Sequence, residues 1–282
     1  MIRIFSDSTC DLSPELVERY DLTIISLHVL LGETDLRDGV DADEKTIFDW
    51  ADKNNASPHT AAPSTDEVMD LFRPAVEAGD EIVSFAISAG MSNSLNVQRM
   101  AVEILKAEDQ ISVIDSGNLS TGIGLLVIRA AELAKEGKSR EEIVAEIEAL
   151  IPKVRASFVI DPLTYLYRGG RCSGISALMG GVLKLHPEII VRDGAMAPSK
   201  KYRGKMLAVY KEYAKDLEES MKNARTDRVF ITHTCQDRVG PDAVRAYLES
   251  LGIFDEILET QAGGVVSSHC GPGTLGVLFI SK

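Results

Sequence analysis

Cysteine is scarce in this chain and widely scattered. Cys10, Cys172, Cys235 and Cys270 form no Cys-x-x-Cys pair and no cysteine–histidine ligand cluster. The spacing argues against a disulfide scaffold and a structural zinc site, and fits reduced thiols in a cytoplasmic protein. There is no His-Glu-x-x-His motif and no clustered set of carboxylates, so no metal is expected. Long apolar runs are missing too. No stretch approaches the roughly 18 uninterrupted apolar residues of a conventional membrane span. The opening, Met1-Ile2-Arg3-Ile4-Phe5, lacks the long apolar core of a secretory signal. Positive charge is in deficit: 30 basic against 43 acidic side chains give a formal charge of −13. That disfavours sequence-independent binding to nucleic acid and a polybasic membrane anchor, while leaving a local basic pocket open. The single Trp50 reads as helix packing.

What remains is a balanced globular composition of 45% hydrophobic and 26% charged residues over 282 positions, enough for one or two domains. Short β-type runs alternate with helical ones in the first half. Strands are expected at Ile2–Phe5, Thr23–Leu31, Ile82–Ile87 and Ile111–Ile114. Ser13-Pro14 reads as an N-cap followed by proline at the first helical position. Asp41-x-x-Glu44, Ser64-x-x-Glu67 and Ser139-x-x-Glu142 carry capping-box spacing. Further helices are expected around 94–107, 122–136 and 139–150. Short, uniformly apolar strands between helices imply a mainly parallel sheet.

The pattern changes near residue 150. A strand at Ala156–Ile160 precedes an apolar element at Leu163–Tyr167, a glycine-rich turn and a helix near 174–184. A strand pair at 185–190 and 195–198 turns at Asp193-Gly194, a hairpin signal. A charged helix over about 201–223, a strand at Arg228–Thr232, a helix at about 240–251 and strands at Glu256–Thr260 and Thr274–Ile280 complete the chain. The fold class is therefore α/β: two α/β domains, residues 1–150 with a mainly parallel sheet and residues 151–282 a mixed α/β sandwich, with a ligand cleft between them.

Ligands in open α/β sheets sit beyond the carboxyl ends of the strands. Ser6 to Asp11, Thr60 to Ser64 and Ser88 to Ser94 fall at such ends, and their hydroxyls and free N–H groups suit a carboxylate or phosphate. Each is equally a set of turn caps taken alone. Gly169-Gly170-Arg171-Cys172-Ser173-Gly174 matches no phosphate-binding fingerprint, but it presents Arg171 on a tight turn, either closing over an anion or facing solvent. His269, in Ser267 to Thr274, is a hydrogen-bonding ligand contact, a general base or a structural histidine. His28 reads as a core or interface histidine, His186 as a strand-edge one, and His233 ends a strand; His59 carries no separate argument.

Taken in order, these segments resemble the DegV family of bacterial fatty-acid-binding proteins. The motifs are Asp7-Ser8-Thr9-Cys10-Asp11-Leu12, Thr60-Ala61-Ala62-Pro63-Ser64, Ser88 to Ser94, Val113-Ile114-Asp115-Ser116, Tyr167-Arg168-Gly169-Gly170-Arg171 and His269-Cys270-Gly271-Pro272-Gly273. The resemblance implies two α/β domains enclosing a long-chain fatty acid. Two hydroxyls, at Thr60 and Ser92, would hold its carboxylate, with Arg171 and His269 near the head group; Ser94 and Gly170, in the same motifs, are further candidate ligand contacts. It further implies a non-catalytic acyl carrier in phospholipid metabolism that, in FakB-type members, presents its ligand to a separate ATP-dependent fatty acid kinase. No cofactor, nucleic acid or stable membrane insertion is expected, and a monomer is favoured. Asn93 replaces a family glycine, and asparagine tolerates a left-handed backbone. Leu178 to Leu185 is a candidate tunnel wall. The rival readings are a serine- or cysteine-dependent acyl ester hydrolase, with Ser92 or Cys270 paired to His269 or His233, and a scaffold without a small ligand.

Overall fold

The computed structural model describes residues 1–178 and 185–282. The described residues form 13 strands: β1 Ile2–Asp7, β2 Leu22–Ile25, β3 His28–Leu31, β4 Thr34–Arg37, β5 His59–Ala61, β6 Glu81–Ala86, β7 Ile111–Asp115, β8 Val154–Val159, β9 Leu185–Arg192, β10 Ala195–Arg203, β11 Ala224–His233, β12 Glu256–Gln261 and β13 Leu275–Ser281. The first domain holds a parallel sheet in the order β2-β1-β6-β7. The second holds a mixed sheet in the order β10-β9-β8-β13-β11-β12, in which only the β11–β12 pair is parallel.

Both sheets share the helix Thr121–Lys135. Of its 15 residues, 11 are buried, the signature of a helix covered all round rather than on one stripe. It packs on β1 and β6 in one sheet and on β8 and β13 in the other, and joins both in one apolar cluster from Ile4 through Ile123 to Leu278. Gly124 permits the close approach. A Cβ there would lie 2.7 Å from Leu12 and 3.0 Å from the Cys10 carbonyl. The outer face of the first sheet is covered by Thr65–Glu77 and Ser94–Leu105, through Phe72 and Ala101. That of the second is covered by Met206–Asp216 and Val239–Leu251, through Tyr213 and Val244.

Local chemistry explains several ends. Ser13 caps the helix Pro14–Arg19, and Ser64 and Ser139 form complete capping boxes with Glu67 and Glu142. Asp193 and Gly194 both take positive φ, as the β9–β10 turn requires. Other expectations shift. Asp43, not Asp41, caps the helix Glu44–Asn54; the Asp41 carboxylate instead accepts from the Arg37 N–H. Thr23–Leu31 is two strands in two sheets, because the chain leaves β2 after Ile25 and pairs β3 with β4 and β5. Leu163–Gly169 is a short helix. The charged helix near 201–223 starts only at Met206, since β10 runs on to Arg203, and is divided at Leu217. Residues 175–178 form a single 3-10 turn, while the remainder of the element expected near 174–184, with most of Leu178 to Leu185, lies outside the described residues.

The three-stranded antiparallel sheet β4-β3-β5 was not anticipated. It packs with Glu44–Asn54 and with a second unexpected element, the helix Gly264–Cys270, around Val29, Ile47, Phe48 and Val265. A helix from the second domain is thereby seated on an excursion from the first. Among the described residues, no helix is long and apolar enough to cross a membrane.

Candidate functional site

Gly264–Cys270 brings its last turn against β5 and the Leu163–Gly169 helix. Thr60, the middle residue of β5, pairs with Val29. Its hydroxyl lies 2.8 Å from His269 Nε2. The imidazole rests on Gly169, where a Cβ would fall 2.4 Å from Nδ1. His269 Nδ1 is buried and has no hydrogen-bond partner. Burial first, then the nearby positive charge of Arg171, pushes the His269 pKa down to about 4, so the ring is neutral at physiological pH.

Ser92 comes from the loop after β6. Its hydroxyl accepts from the Ser94 N–H at 3.3 Å, which leaves its own hydrogen available. The loop is braced by the other domain: the Ser88 hydroxyl donates to the Gly194 carbonyl at 2.6 Å. Gly90 lies so close that a Cβ would meet that carbonyl at 2.8 Å. Asn93 has φ −85° at the start of Ser94–Leu105, so the lost family glycine imposes no left-handed strain here. Arg171 follows Gly170, whose φ of +67° ends the preceding helix. The guanidinium donates to the Gly169 carbonyl at 2.8 Å and, more weakly, to the Met91 carbonyl at 3.5 Å.

These four side chains, Thr60, Ser92, Arg171 and His269, line one cavity of about 240 Å³. Leu27, Ile87, Met91 and Leu119 from the first domain and Met196, Val265, Val266 and Cys270 from the second supply its apolar wall. Sequence reasoning missed that wall, because nothing in an apolar pattern separates a cavity lining from core. A separate void of about 20 Å³ shares Leu119, Val266 and Cys270 with that cavity and is also lined by Phe158 and Leu278. A larger groove of about 820 Å³, flanked by Arg155, Glu188 and Asp193, contains none of the four. Two expected residues stand apart. Ser94 is fully buried and donates to Asp7 Oδ2 at 2.8 Å; Gly170 is exposed and lies outside the lining. His28 is held between Asp35 and Glu67, His186 is buried, and His233 borders the smaller void.

The thiols are not activated. Burial pushes Cys270 and Cys10 up to about 12 and Cys172 and Cys235 up to about 11, so none is a ready nucleophile. Among the described residues no cluster of potential ligands suits a metal ion.

A mainly apolar chamber whose lining includes two hydroxyls, a histidine and a guanidinium suits an amphiphilic anion. The sequence pattern of the DegV family matches residues 1–282. The chain belongs to the DegV family. A DegV domain-containing protein of Deinococcus radiodurans is 33% identical over 278 residues, covering 98% of this chain and 97% of that protein. One from Clostridium acetobutylicum is 32% identical, covering 100% and 99%. Among solved structures, a fatty-acid-binding DegV family protein of Thermus thermophilus superposes with a TM-score of 0.92 at 29% identity, covering 100% of this chain and 99% of that one. A stearic-acid-binding protein of Eubacterium ventriosum gives 0.86 at 30% identity with the same coverage. The Thermus thermophilus and Eubacterium ventriosum proteins bind fatty acids.

Proposed function

We propose that this chain binds a long-chain fatty acid, with its carboxylate at Thr60 and Ser92 and its alkyl chain along the apolar wall. The carrying observation is the mixed lining of one cavity: Thr60, Ser92, Arg171 and His269, the first and last in hydrogen-bond contact, share it with predominantly apolar walls. Each methylene removed from water contributes about 0.8 kcal/mol, so the chain supplies most of the affinity. The buried carboxylate needs partners, since an unpaired buried charge is very costly. Thr60 and Ser92 donate hydroxyl hydrogens and Arg171 provides the opposite charge. With the neutral His269 ring carrying its hydrogen on Nε2, Thr60 accepts from the histidine and turns its own hydrogen toward the ligand. That tautomer leaves Nδ1 as an unpaired acceptor rather than an unpaired donor, the smaller cost.

On this reading residues 1–150 contribute the carboxylate-holding hydroxyls, and residues 151–282 contribute much of the chamber, the arginine and the histidine. The protein is then a cytoplasmic acyl carrier that presents its ligand to a separate fatty acid kinase for phospholipid metabolism. An ester hydrolase is disfavoured on chemistry. His269 is a weak base directed at Thr60, Cys270 is held as a thiol, and Ser92 hydrogen-bonds to a backbone N–H.

Native mass spectrometry of the gently purified chain, followed by lipid extraction, tests the binding reading. An added mass that extracts as a fatty acid and exchanges with supplied palmitate is expected. A chain that neither carries nor takes up an acyl ligand overturns it.

A further inference from the structure

A second space adjoins the cavity. It is a cleft of about 380 Å³ that shares Thr60, Arg171 and His269 with the apolar chamber, and its other walls include Ser57, His59 and Arg168. The Thr60–His269 pair thus lines both a mainly apolar chamber and a polar, nitrogen-rich cleft. His59, Arg168 and Arg171 are all exposed.

The arginines differ from most others in the chain. Arg129, Arg140, Arg228, Arg238 and Arg245 all meet carboxylates. Among the described residues, the hydrogen bonds of Arg168 and Arg171 go only to neutral oxygens: Ser57 Oγ at 3.5 Å for Arg168, and the Gly169 and Met91 carbonyls for Arg171. A chain with 13 more acidic than basic side chains therefore leaves two guanidinium groups at one opening without a counter-charge. A fatty-acid carboxylate reaching Thr60 from inside balances one of them, Arg171. Arg168 remains, beside His59 and the Ser57 hydroxyl. A guanidinium fork matches the paired oxygens of a phosphate, and a neighbouring imidazole and hydroxyl add donors in other directions.

We propose that this outer cleft is a subsite for a phosphate-class oxyanion, held by Arg168, His59 and Ser57, with Arg171 shared between that anion and the ligand inside. Only the sharing of Arg171 rests on the fatty-acid reading; the outer subsite stands on its own residues. Its occupant lies beyond the Thr60–His269 pair, in water, so binding is weaker than at an enclosed site and falls with ionic strength.

The test titrates inorganic phosphate into the full chain, delipidated and palmitate-loaded, by calorimetry. Saturable one-site binding is expected, at least tenfold weaker in Arg168→Gln and several-fold weaker in His59→Gln. Palmitate retention, measured by extraction, should be unchanged in both variants. A parallel titration with adenosine triphosphate identifies the source: tighter binding that is lost in the same variants indicates a phosphate carried on a nucleotide, while affinity no better than phosphate alone indicates the free anion. Absence of saturable binding by both probes overturns the subsite, as does binding that Arg168→Gln leaves intact. Palmitate retention without oxyanion binding removes the outer subsite alone. Oxyanion binding without palmitate retention removes the fatty-acid reading alone.

Discussion

Two sets of polar side chains lie inside this protein, and they differ in what their atoms touch. Asp7, Asp11 and Asp38 are buried carboxylates whose oxygens are supplied from within. Asp7 accepts from Thr9 at 2.6 Å and from the Ile87 N–H and Ser94 at 2.8 Å. Asp11 accepts from Ser120 at 2.5 Å and from the Gly263 N–H at 2.8 Å, while Asp38 accepts from Ser8 at 2.7 Å and from the Val265 N–H at 3.3 Å. The proposed head-group set is incomplete by contrast: the Ser92 hydroxyl retains an undonated hydrogen, and with His269 donating from Nε2 the Thr60 hydroxyl keeps its own. Satisfied buried groups hold structure together, and unsatisfied ones around a cavity mark where a ligand completes the network. Ser94 shows the distinction at the shortest range. It sits two residues from Ser92, yet its hydroxyl is spent on Asp7.

The contrast breaks most visibly at Asp38. With Asp11 it holds the start of Gly264–Cys270, the helix that carries His269, across the domain boundary. Asp38→Ala leaves the Ser8 hydroxyl and the Val265 N–H without their acceptor, and should cost about 3 kcal/mol of stability in urea unfolding. Stability within experimental error of the parent would mean the aspartate is no clamp. Ser92→Ala is the opposite case. Stability should move by less than about 0.5 kcal/mol, while palmitate affinity falls about tenfold or more, the value of a hydrogen bond to a charged group. Displacement of a fluorescent fatty acid reads this, and equal affinity removes Ser92 from the carboxylate's partners. Gly169→Ala falls between the two. Its methyl group would press on the His269 ring, so a several-fold loss of palmitate affinity is expected together with about 1–2 kcal/mol of destabilisation. Unchanged affinity would show that His269 can shift without consequence for Thr60.

The same contrast governs how much was legible beforehand. Strand–helix alternation, the Ser64 and Ser139 capping boxes and the Asp193-Gly194 hairpin are local signals, and local chemistry produced them. Thr60, Ser92, Arg171 and His269 stood out because hydroxyls and charges gather in loops at strand ends and because the ordered motifs resemble one family. The elements that bring them together were hidden. β5 has three residues, too few for a period. Gly264–Cys270 begins with two glycines in sequence around its N-cap, which reads as a turn, and its orphan N–H groups are met by Asp11 and Asp38, more than 200 residues away. No local pattern encodes that partnership. Ser94 and Gly170 came from membership of the same motifs as Ser92 and Arg171, which does not say where a side chain points.

The smallest effect expected is a slope rather than a loss, and it separates the two sets by proton linkage. Burial raises Glu44, which accepts from Ser267 at 3.4 Å on the same helix, from 4.5 to about 7. Between those values the folded state binds more protons than the unfolded one, so this group's contribution to stability falls as pH rises. His269 runs the other way: its value drops from 6.5 to about 4, the unfolded state binds the extra proton in that window, and its contribution is lost as pH falls. The two oppose each other between pH 4.5 and 6.5. Glu44→Gln should therefore make stability climb more steeply with pH across that interval, and His269→Gln should make it climb less or fall. Urea midpoints at several pH values measure the slopes, with Asp7, Asp11 and Asp38 common to every variant and cancelling in the differences. Parallel slopes in all three proteins would mean that neither group titrates differently on folding, and that the head-group histidine is not held neutral by its surroundings.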